Sequence, residues 1–335
     1  MKENLIIVSI LIAARNEEDN LSNCLDRILN LNFPKEQLEV LVGDDNSLDN
    51  TLNILKNYEE NYPHIKVFHI TENLYGLKGK ANVLTQIADN AKGKYFFMTD
   101  ADVLVNKNWI NSVLANFSDT VDMIGGITGV VDTGIFSKYQ NFDWIYSYAS
   151  RHIVSKYENR FFAAMGNNMA MKSKVYKNIG GYKKIPFSIA EDYDLFKHAI
   201  NLGFKAKSML EEDILAFTYP IDKLSKYIAQ QRRWLTSVKK LPLEYLIGHI
   251  IQFGLLPIII LLSYFVNLEI SVILFSIKYL VDIFILSYAF IKLKQPISFY
   301  IFLFPIISII IQFILLMFQL NKKPIVWKDR EYTLK

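Results

Sequence analysis

"LIIVSILIAA", residues 5–14, is an apolar run rich in Ile and Val with Ser9 as its one polar residue, and it sets the kind of sheet this chain can build. A strand with one wet face alternates apolar and polar residues; a strand apolar at every position is covered on both faces, as in parallel sheets. Behind it, "NEEDNLSNCLDRILNL" (16–31) places Leu21, Leu25, Ile28 and Leu29 at helical spacing. Its acids read as a first turn, where the helix dipole favours them. The alternation continues with "LEVLVGDD" (38–45), "SLDNTLNILKNYEE" (47–60), "IKVFHI" (65–70), "GKANVLTQIADNA" (79–91) and "KYFFMTD" (94–100). Repeated strand–helix units predict an α/β fold, an open and mostly parallel sheet with helices on both faces.

Such sheets bind ligands beyond the carboxyl ends of their strands. That rule gathers Arg15 to Glu17, Asp44 with Asp45, and Asp100 with Asp102 on one rim. A dinucleotide oxidoreductase would need G-x-G-x-x-G after its first strand, and "AARNEED" (13–19) contains no glycine.

In "YFFMTDADVL" (95–104) only Ala101 separates two carboxylates. Like charges this close repel unless a cation or a proton lies between them. At a strand end, positions i and i+2 share a side, so Asp100 and Asp102 can face one ion. Carboxylate oxygens suit Mg or Mn, ions that also hold substrate phosphates. The plainer reading is a solvated turn in which Asp102 caps the next helix.

The composition changes along the chain. Its 335 residues allow one large domain or two smaller ones, and residues 1–245 mix charged and apolar segments as a globular domain does. In contrast, "LIGHIIQFGLLPIIILLSYFV" (246–266) and residues 297–320 carry no charge, and 270–291 carries only Lys278 and Asp282. All three read as membrane helices. The apolar start reaches charge after about ten residues, unlike a signal peptide, so the first 245 residues are expected in the cytosol. A single cysteine, Cys24, permits no intrachain disulfide, which agrees. The net charge is only +4, and the basic residues collect in "KLSKYIAQQRRW" (223–234), "VKK" (238–240) and "NKKPIVWKDR" (321–330). That distribution suits anionic lipid headgroups rather than nucleic acid. The expected layout is a domain over 1–240, a membrane region of two to three helices over 241–320, and a basic tail over 321–335.

Three full spans would put Lys322, Lys323, Lys328, Arg330 and Lys335 outside, against the positive-inside rule. The conflict resolves if the first segment, interrupted near Pro257, is re-entrant or interfacial. Two spans then leave the tail in the cytosol.

Six segments in order, "ILIAARNEEDNL" (10–21), "VGDDNSLDNT" (42–51), "GLKGKANVL" (76–84), "TDADVL" (99–104), "AEDYDL" (190–195) and "QQRRW" (230–234), resemble the family-2 glycosyltransferases. These have the Rossmann-like GT-A fold, and the membrane-attached, inverting, Q-x-x-R-W members are the nearest match. The ending "PIVWKDREY" (324–332) is similar to the W-K-G-R-x-Y tail of bacterial lipid and carotenoid glycosyltransferases, with Asp329 in the glycine position.

The resemblance implies a nucleotide-sugar donor, a UDP-sugar first of all, and an Mg or Mn ion. It also implies a lipid or membrane-associated glycan acceptor and a catalytic domain on the cytosolic side of the inner membrane, anchored by several passes. Inverting transfer needs the leaving diphosphate neutralised and the acceptor hydroxyl deprotonated. On this pattern Asp100 and Asp102 hold the metal against the diphosphate, and Asp192 is the general base. Either Asp44 or Asp45 accepts from the nucleobase, the other closing a turn before a helix near Ser47. Glu17 lies by the nucleoside or caps the first helix. Lys80, near a helix N-terminus, meets phosphate oxygens or is solvated. The segment "GNNMAMKSKVYKNIGGY" (166–182) reads as a short strand and a helix closed by Gly180 and Gly181, with Asn167 and Asn168 on sugar hydroxyls or in a turn. Glu191 stands beside Asp192 at the start of an amphipathic helix whose apolar positions are Leu195, Phe196, Ala199, Ile200 and Leu202. Gln230, Arg233, with Arg232 as alternate, and Trp234 complete the set, Arg233 on diphosphate and Trp234 stacked on a sugar. His64, His69, His152, His198 and His249 show no metal spacing and read as structural. Single transfer to a lipid is favoured over a processive polysaccharide synthase. A catalytically silent scaffold of the same fold and a nucleotidyltransferase are the competing classes.

Overall fold

The computed structural model describes residues 5–158, 161, 165–186, 188, 190–238, 243–319, 325–327 and 330–332. By internal packing the chain divides into two units, Met1–Gly129 with Arg151–Tyr219, and Val130–Ser150 with Pro220–Lys335.

The first unit is built on the predicted strands, β1 (Val8–Ala14), β2 (Leu38–Asp44), β3 (Ile65–His69) and β4 (Tyr95–Asp100). They alternate with α1 (Leu21–Leu29), α2 (Thr51–Asn61) and α3 (Gly79–Ala88). β5 (Val103–Leu104), α4 (Trp109–Leu114), β6 (Met123–Gly125) and β7 (Thr128–Val130) follow. Next come β8 (Asn168–Lys172), α6 (Ser173–Asn178), α7 (Glu191–Asn201), β9 (Ala206–Ser208) and β10 (Ala216–Thr218); α5 (Ile135–Glu158), which precedes β8, belongs to the second unit up to Ser150. The main sheet runs β3-β2-β1-β4-β8-β6-β9, and β5-β10-β7 form a second, three-stranded sheet.

β1 to β4 are parallel to one another, as the apolar runs predict. β8 is antiparallel to both β4 and β6, so the sheet is mixed. The pleat of β1 shows why its residues are apolar towards both faces, with Ser9 as the exception, its hydroxyl donating to Glu39 (2.6 Å). Val8, Ile10, Ile12 and Ala14 join a core with α1 and α4, while Leu11 joins the opposite core with α3, α6 and α7. Each of the Val, Ile and Leu side chains, fully buried, contributes roughly 1.5–3 kcal/mol.

Three local expectations are corrected. Glu17, Glu18 and Asp19 do not form the first turn of α1, which begins at Leu21 without an acid there. Glu18 is drawn to the neighbouring loop, its N–H donating to Asp49 (3.2 Å) and its Oε2 accepting from Asn50 N–H (2.9 Å), whereas the Glu17 carboxylate accepts from the Asn20 amide (3.3 Å). The second helix starts at Thr51 rather than near Ser47, because left-handed Asn46 (φ 51°) turns the chain first. Leu202 is 56 % exposed at the end of α7, whereas Leu195, Phe196 and Ala199 are buried. Gly180 (φ 75°) and Gly181 (φ 53°) do close the turn after α6.

In the second unit are α8 (Leu224–Val238), α9 (Leu243–Phe265), α10 (Leu268–Lys292), α11 (Phe304–Gln319) and a hairpin of β11 (Ile325–Trp327) and β12 (Arg330–Tyr332). Among the described residues, α10 is long and apolar enough to cross a membrane. The other apolar stretches, Ile250–Phe265 and Phe304–Phe318, are shorter. The run 297–320 does not make one long helix. It opens with a 3-10 turn over Phe299–Phe302, capped by Ser298, and Pro305 has no N–H with which to extend α11 backwards. α9 continues through Pro257, so the expected interruption there is absent. Lys278 and Asp282 form the i,i+4 pair within α10. The side chains of the tail, with its basic residues, lie outside the described residues.

Candidate active site

The carboxyl ends of β1, β2 and β4 meet at one rim, since Ala14 is in register with Asp44 and Ala13 with Asp100. Asp44 and Asp45 divide their tasks. Asp44 is fully buried; its carboxylate accepts from Ser47 N–H (3.3 Å) and pairs with His69 Nδ1 (2.8 Å), which stands opposite it at the end of β3. Asp44 therefore shapes the turn. Asp45 is anchored through its backbone, its N–H on Ala14 and its carbonyl accepting from the Arg15 guanidinium (2.5 Å). Glu17 serves α1 through its carbonyl, which accepts from Asn20 and Leu21.

Asp100 ends β4, one-third exposed, and Asp102 lies beyond it in the turn to β5. The two are thus not consecutive outward positions of one strand. Asp102 Oδ2 accepts from Thr218 Oγ1 (3.2 Å) on β10, and Asp100 takes the ammonium of Lys80. Beneath them lies Cys24, whose thiol donates to the Asp100 carbonyl (3.4 Å). Burial first, then the charges of Asp102, Asp100 and Glu17, push that thiol far above its ordinary pKa. The three acids therefore converge on one region.

Lys80, the second residue of α3, connects two parts of the site. Besides Asp100, its Nζ reaches the Gly166 carbonyl (3.4 Å) and Glu191 Oε1 (3.9 Å). Burial works against the ammonium, but Asp100, Glu191 and Asp192 together hold its pKa above the ordinary lysine value. Gly166 turns its N–H to Asp192 Oδ2 (2.6 Å), and Asp192 Oδ1 accepts from Tyr193 N–H (2.8 Å). A Cβ on residue 166 would lie 2.8 Å from the Asp192 Cβ, so only glycine permits the approach. The base candidate is therefore fixed from both carboxylate oxygens at the start of α7.

Asn167 and Asn168 sit at the start of β8, facing inward. Asn168 is 1 % exposed; its amide donates to the Ile127 and Ile214 carbonyls (both 2.8 Å) and accepts from Trp109 Nε1 (2.9 Å). All its polar directions go to the fold. Asn167 Oδ1 accepts from Thr128 Oγ1 (3.1 Å) and its carbonyl from Thr99 Oγ1 (3.0 Å).

Gln230, Arg233 and Trp234 lie on α8, in the second unit. There Tyr227 and Gln231 donate to Asp143 of α5 (2.7 and 3.1 Å), and Trp234 packs edge-on against Trp144 with centroids 5.0 Å apart. The face of α8 at positions 227, 231 and 234 is thus the one held by α5.

Gly166, His69 and Thr218 were not singled out as site residues from the sequence. The glycine ahead of the Asn pair was its own signal, being a place where backbone comes close to something. The other two act across long separations that no local pattern encodes.

Asp100 and Asp102 offer hard oxygen donors, and the ammonium drawn to Asp100 shows that this seat attracts a cation. Among the described residues no three acids, histidines or cysteines form a closed metal cage. Two carboxylates with open positions fit Mg or Mn, which complete their shells with water and substrate phosphate.

The model of the glycosyl transferase family 2 matches residues 9–180, more than half of the chain and all of the rim from β1 to β8. The chain belongs to this family. It is similar to the poly(ribitol-phosphate) β-glucosyltransferase of Bacillus spizizenii, 35 % identical over 127 residues (36 % of this chain, 20 % of the relative). It is also similar to the β-monoglucosyldiacylglycerol synthase of Trichormus variabilis, 34 % identical over 117 residues (35 % of this chain, 25 % of the relative). The chain thus spans a quarter or less of these two relatives. In fold it matches the mannosyltransferase PcManGT of Pyrobaculum calidifontis, solved with GDP-Man and Mn2+ (TM-score 0.60, 17 % identity, 90 % of this chain and 86 % of that one).

Proposed function

We propose that the protein is an inverting glycosyltransferase that moves a sugar from a UDP-sugar to a lipid or membrane-associated acceptor, forming a β-glycosidic bond. The observation that carries the reading is the fixed Asp192 carboxylate beside the Lys80–Asp100 pair. A base for the acceptor hydroxyl then stands near a cationic seat for the departing diphosphate. The names of the two relatives support a β-glucosyl product, and one of them a diacylglycerol lipid.

In this reading Asp45 accepts from the nucleobase and Glu17 lies beside the nucleoside. Lys80 and the metal held by Asp100 and Asp102 meet the diphosphate. When bound, the metal supplies positive charge against the leaving group. Glu191 holds Lys80 from the acceptor side, and Asp192 takes the hydroxyl proton as the acceptor oxygen attacks. Asn167 borders the acceptor, Arg233 and Gln230 serve diphosphate and acceptor, and Trp234 adds a ring face. Residues 1–240 form the catalytic domain on the cytosolic side and 241–320 the membrane region, with α10 as its first support.

The test is nucleoside diphosphate release by detergent-purified protein from a panel of UDP- and GDP-sugars with Mn, with chelator and with Asp192→Asn. Release from one donor, lost with chelator and in the variant, supports the reading. Release of pyrophosphate would overturn it in favour of nucleotidyl transfer, and donors that stay intact with membrane lipids supplied would favour a silent scaffold.

A further inference from the structure

Lys80 has more partners than a phosphate-binding lysine needs. Its side chain is 15 % exposed, and its Nζ lies on Asp100 Oδ1, the Gly166 carbonyl and, at 3.9 Å, Glu191 Oε1. A divalent cation held by Asp100 would need the same carboxylate, which is one-third exposed at the end of β4. An ammonium and a divalent ion on one carboxylate lie close together, and like charges that close repel strongly in a partly buried site. On the far side, Glu191 and the Gly166 carbonyl remain as acceptors for the displaced lysine.

We propose that Lys80 is the resident counter-ion of Asp100 in the substrate-free protein, that a divalent metal binds only by displacing it, and that the freed ammonium then serves the incoming diphosphate. The inference rests on the metal role given to Asp100 above. It makes Lys80 a positioning residue that ties metal binding to nucleotide binding. Free metal meets an occupied seat, whereas metal arriving with a nucleoside diphosphate brings the anion that compensates the lysine for leaving Asp100. Lys80 should therefore weaken binding of the metal alone and strengthen binding of metal with nucleotide. A lysine that merely supports the fold would not produce opposite signs.

The test measures Mn2+ binding to the full chain in detergent by electron paramagnetic resonance without nucleotide, and UDP binding by calorimetry with saturating Mn2+. In Lys80→Met the free Mn2+ affinity is expected to rise about tenfold or more and UDP affinity to fall about tenfold. Lys80→Arg, which keeps the charge, should stay near wild type in the first measurement. Adding Asp100→Asn to Lys80→Met should remove the gain. Thermal unfolding checks the fold, and Lys80→Gln replaces Lys80→Met if that variant is unstable. Equal or weaker Mn2+ binding in the neutral variants overturns the proposal while leaving the metal site in place. If no variant and no wild-type protein binds Mn2+ even with UDP, the metal role of Asp100 falls and this inference with it.

Discussion

The Gly166 amide donates to Asp192 Oδ2 at 2.6 Å, and an added Cβ at residue 166 would lie 2.8 Å from both Cβ and Oδ2 of Asp192. Gly166→Ala should therefore push the carboxylate aside with little effect on the donor end of the site. We expect kcat to fall about a hundredfold, the loss typical of a misplaced reacting group, with the donor KM within about threefold of wild type. Initial rates at varied donor concentration separate the two; a raised KM with kcat intact would argue against Asp192 as the base.

Asp44 and Asp45 are adjacent in sequence but should respond differently. Asp44→Asn weakens the pairing with His69 and the turn at Ser47, so its main effect is a lower melting temperature. Asp45→Asn should raise the UDP-sugar KM about tenfold, one hydrogen bond to a charged acceptor. Melting curves and donor titrations on both variants check the division.

Asn168→Leu keeps the branched outline of the side chain but strips the Ile214 carbonyl and the Trp109 indole of the partner that Asn168 gives them, while the Ile127 carbonyl keeps the Ala216 N–H (3.0 Å). Each buried group left unsatisfied costs about 1–3 kcal/mol, so the variant should lose about 2 kcal/mol or more. Denaturant unfolding of the detergent-purified protein measures it. A loss below about 1 kcal/mol would mean the amide is not holding β8 to its neighbours.

His64 provides a pH dependence with a definite sign. Burial, and then the charge of Lys35, lower its pKa from the ordinary 6.5. The unfolded chain consequently takes up a proton first as pH falls, and stability from this residue is full above about 6.5 and lost through the lower folded pKa. Melting temperature should fall from pH 7 to pH 5, and His64→Gln should flatten part of that slope. An identical slope in the variant would assign the effect to other groups.

The strands β1 to β4 were legible because a run such as residues 5–14 admits few other structures. The same reasoning could not find β5, β7 and β10, since two or three residues carry no period and their pairing joins positions such as Leu104 and Phe217. It missed the antiparallel entry of β8 for a related reason. Apolarity reports burial, whereas strand direction depends on the path of the intervening chain. In the site, Asp100 and Asp102 stood out as two carboxylates one residue apart, and Asp192 only through the resemblance to the family pattern. The acids at 17–19 misled, because a helix dipole and the N–H groups of a neighbouring loop attract the same side chains, and in the folded chain Glu18 goes to the loop. Likewise the Asn pair looked polar enough for a sugar, but the burial of Asn168 commits it to backbone carbonyls.

The placement of Cys24 beneath the acidic rim has a practical side. This is the chain's sole cysteine, and buried with its thiol held protonated it should be inert to alkylating reagents and spin labels. The native protein is thus its own silent background. A thiol introduced at Asn267 or Gln295, flanking α10, would be the single reactive group in the molecule. Its labelling from one side or the other of a sealed vesicle would then report orientation in the bilayer without the native cysteine having been replaced.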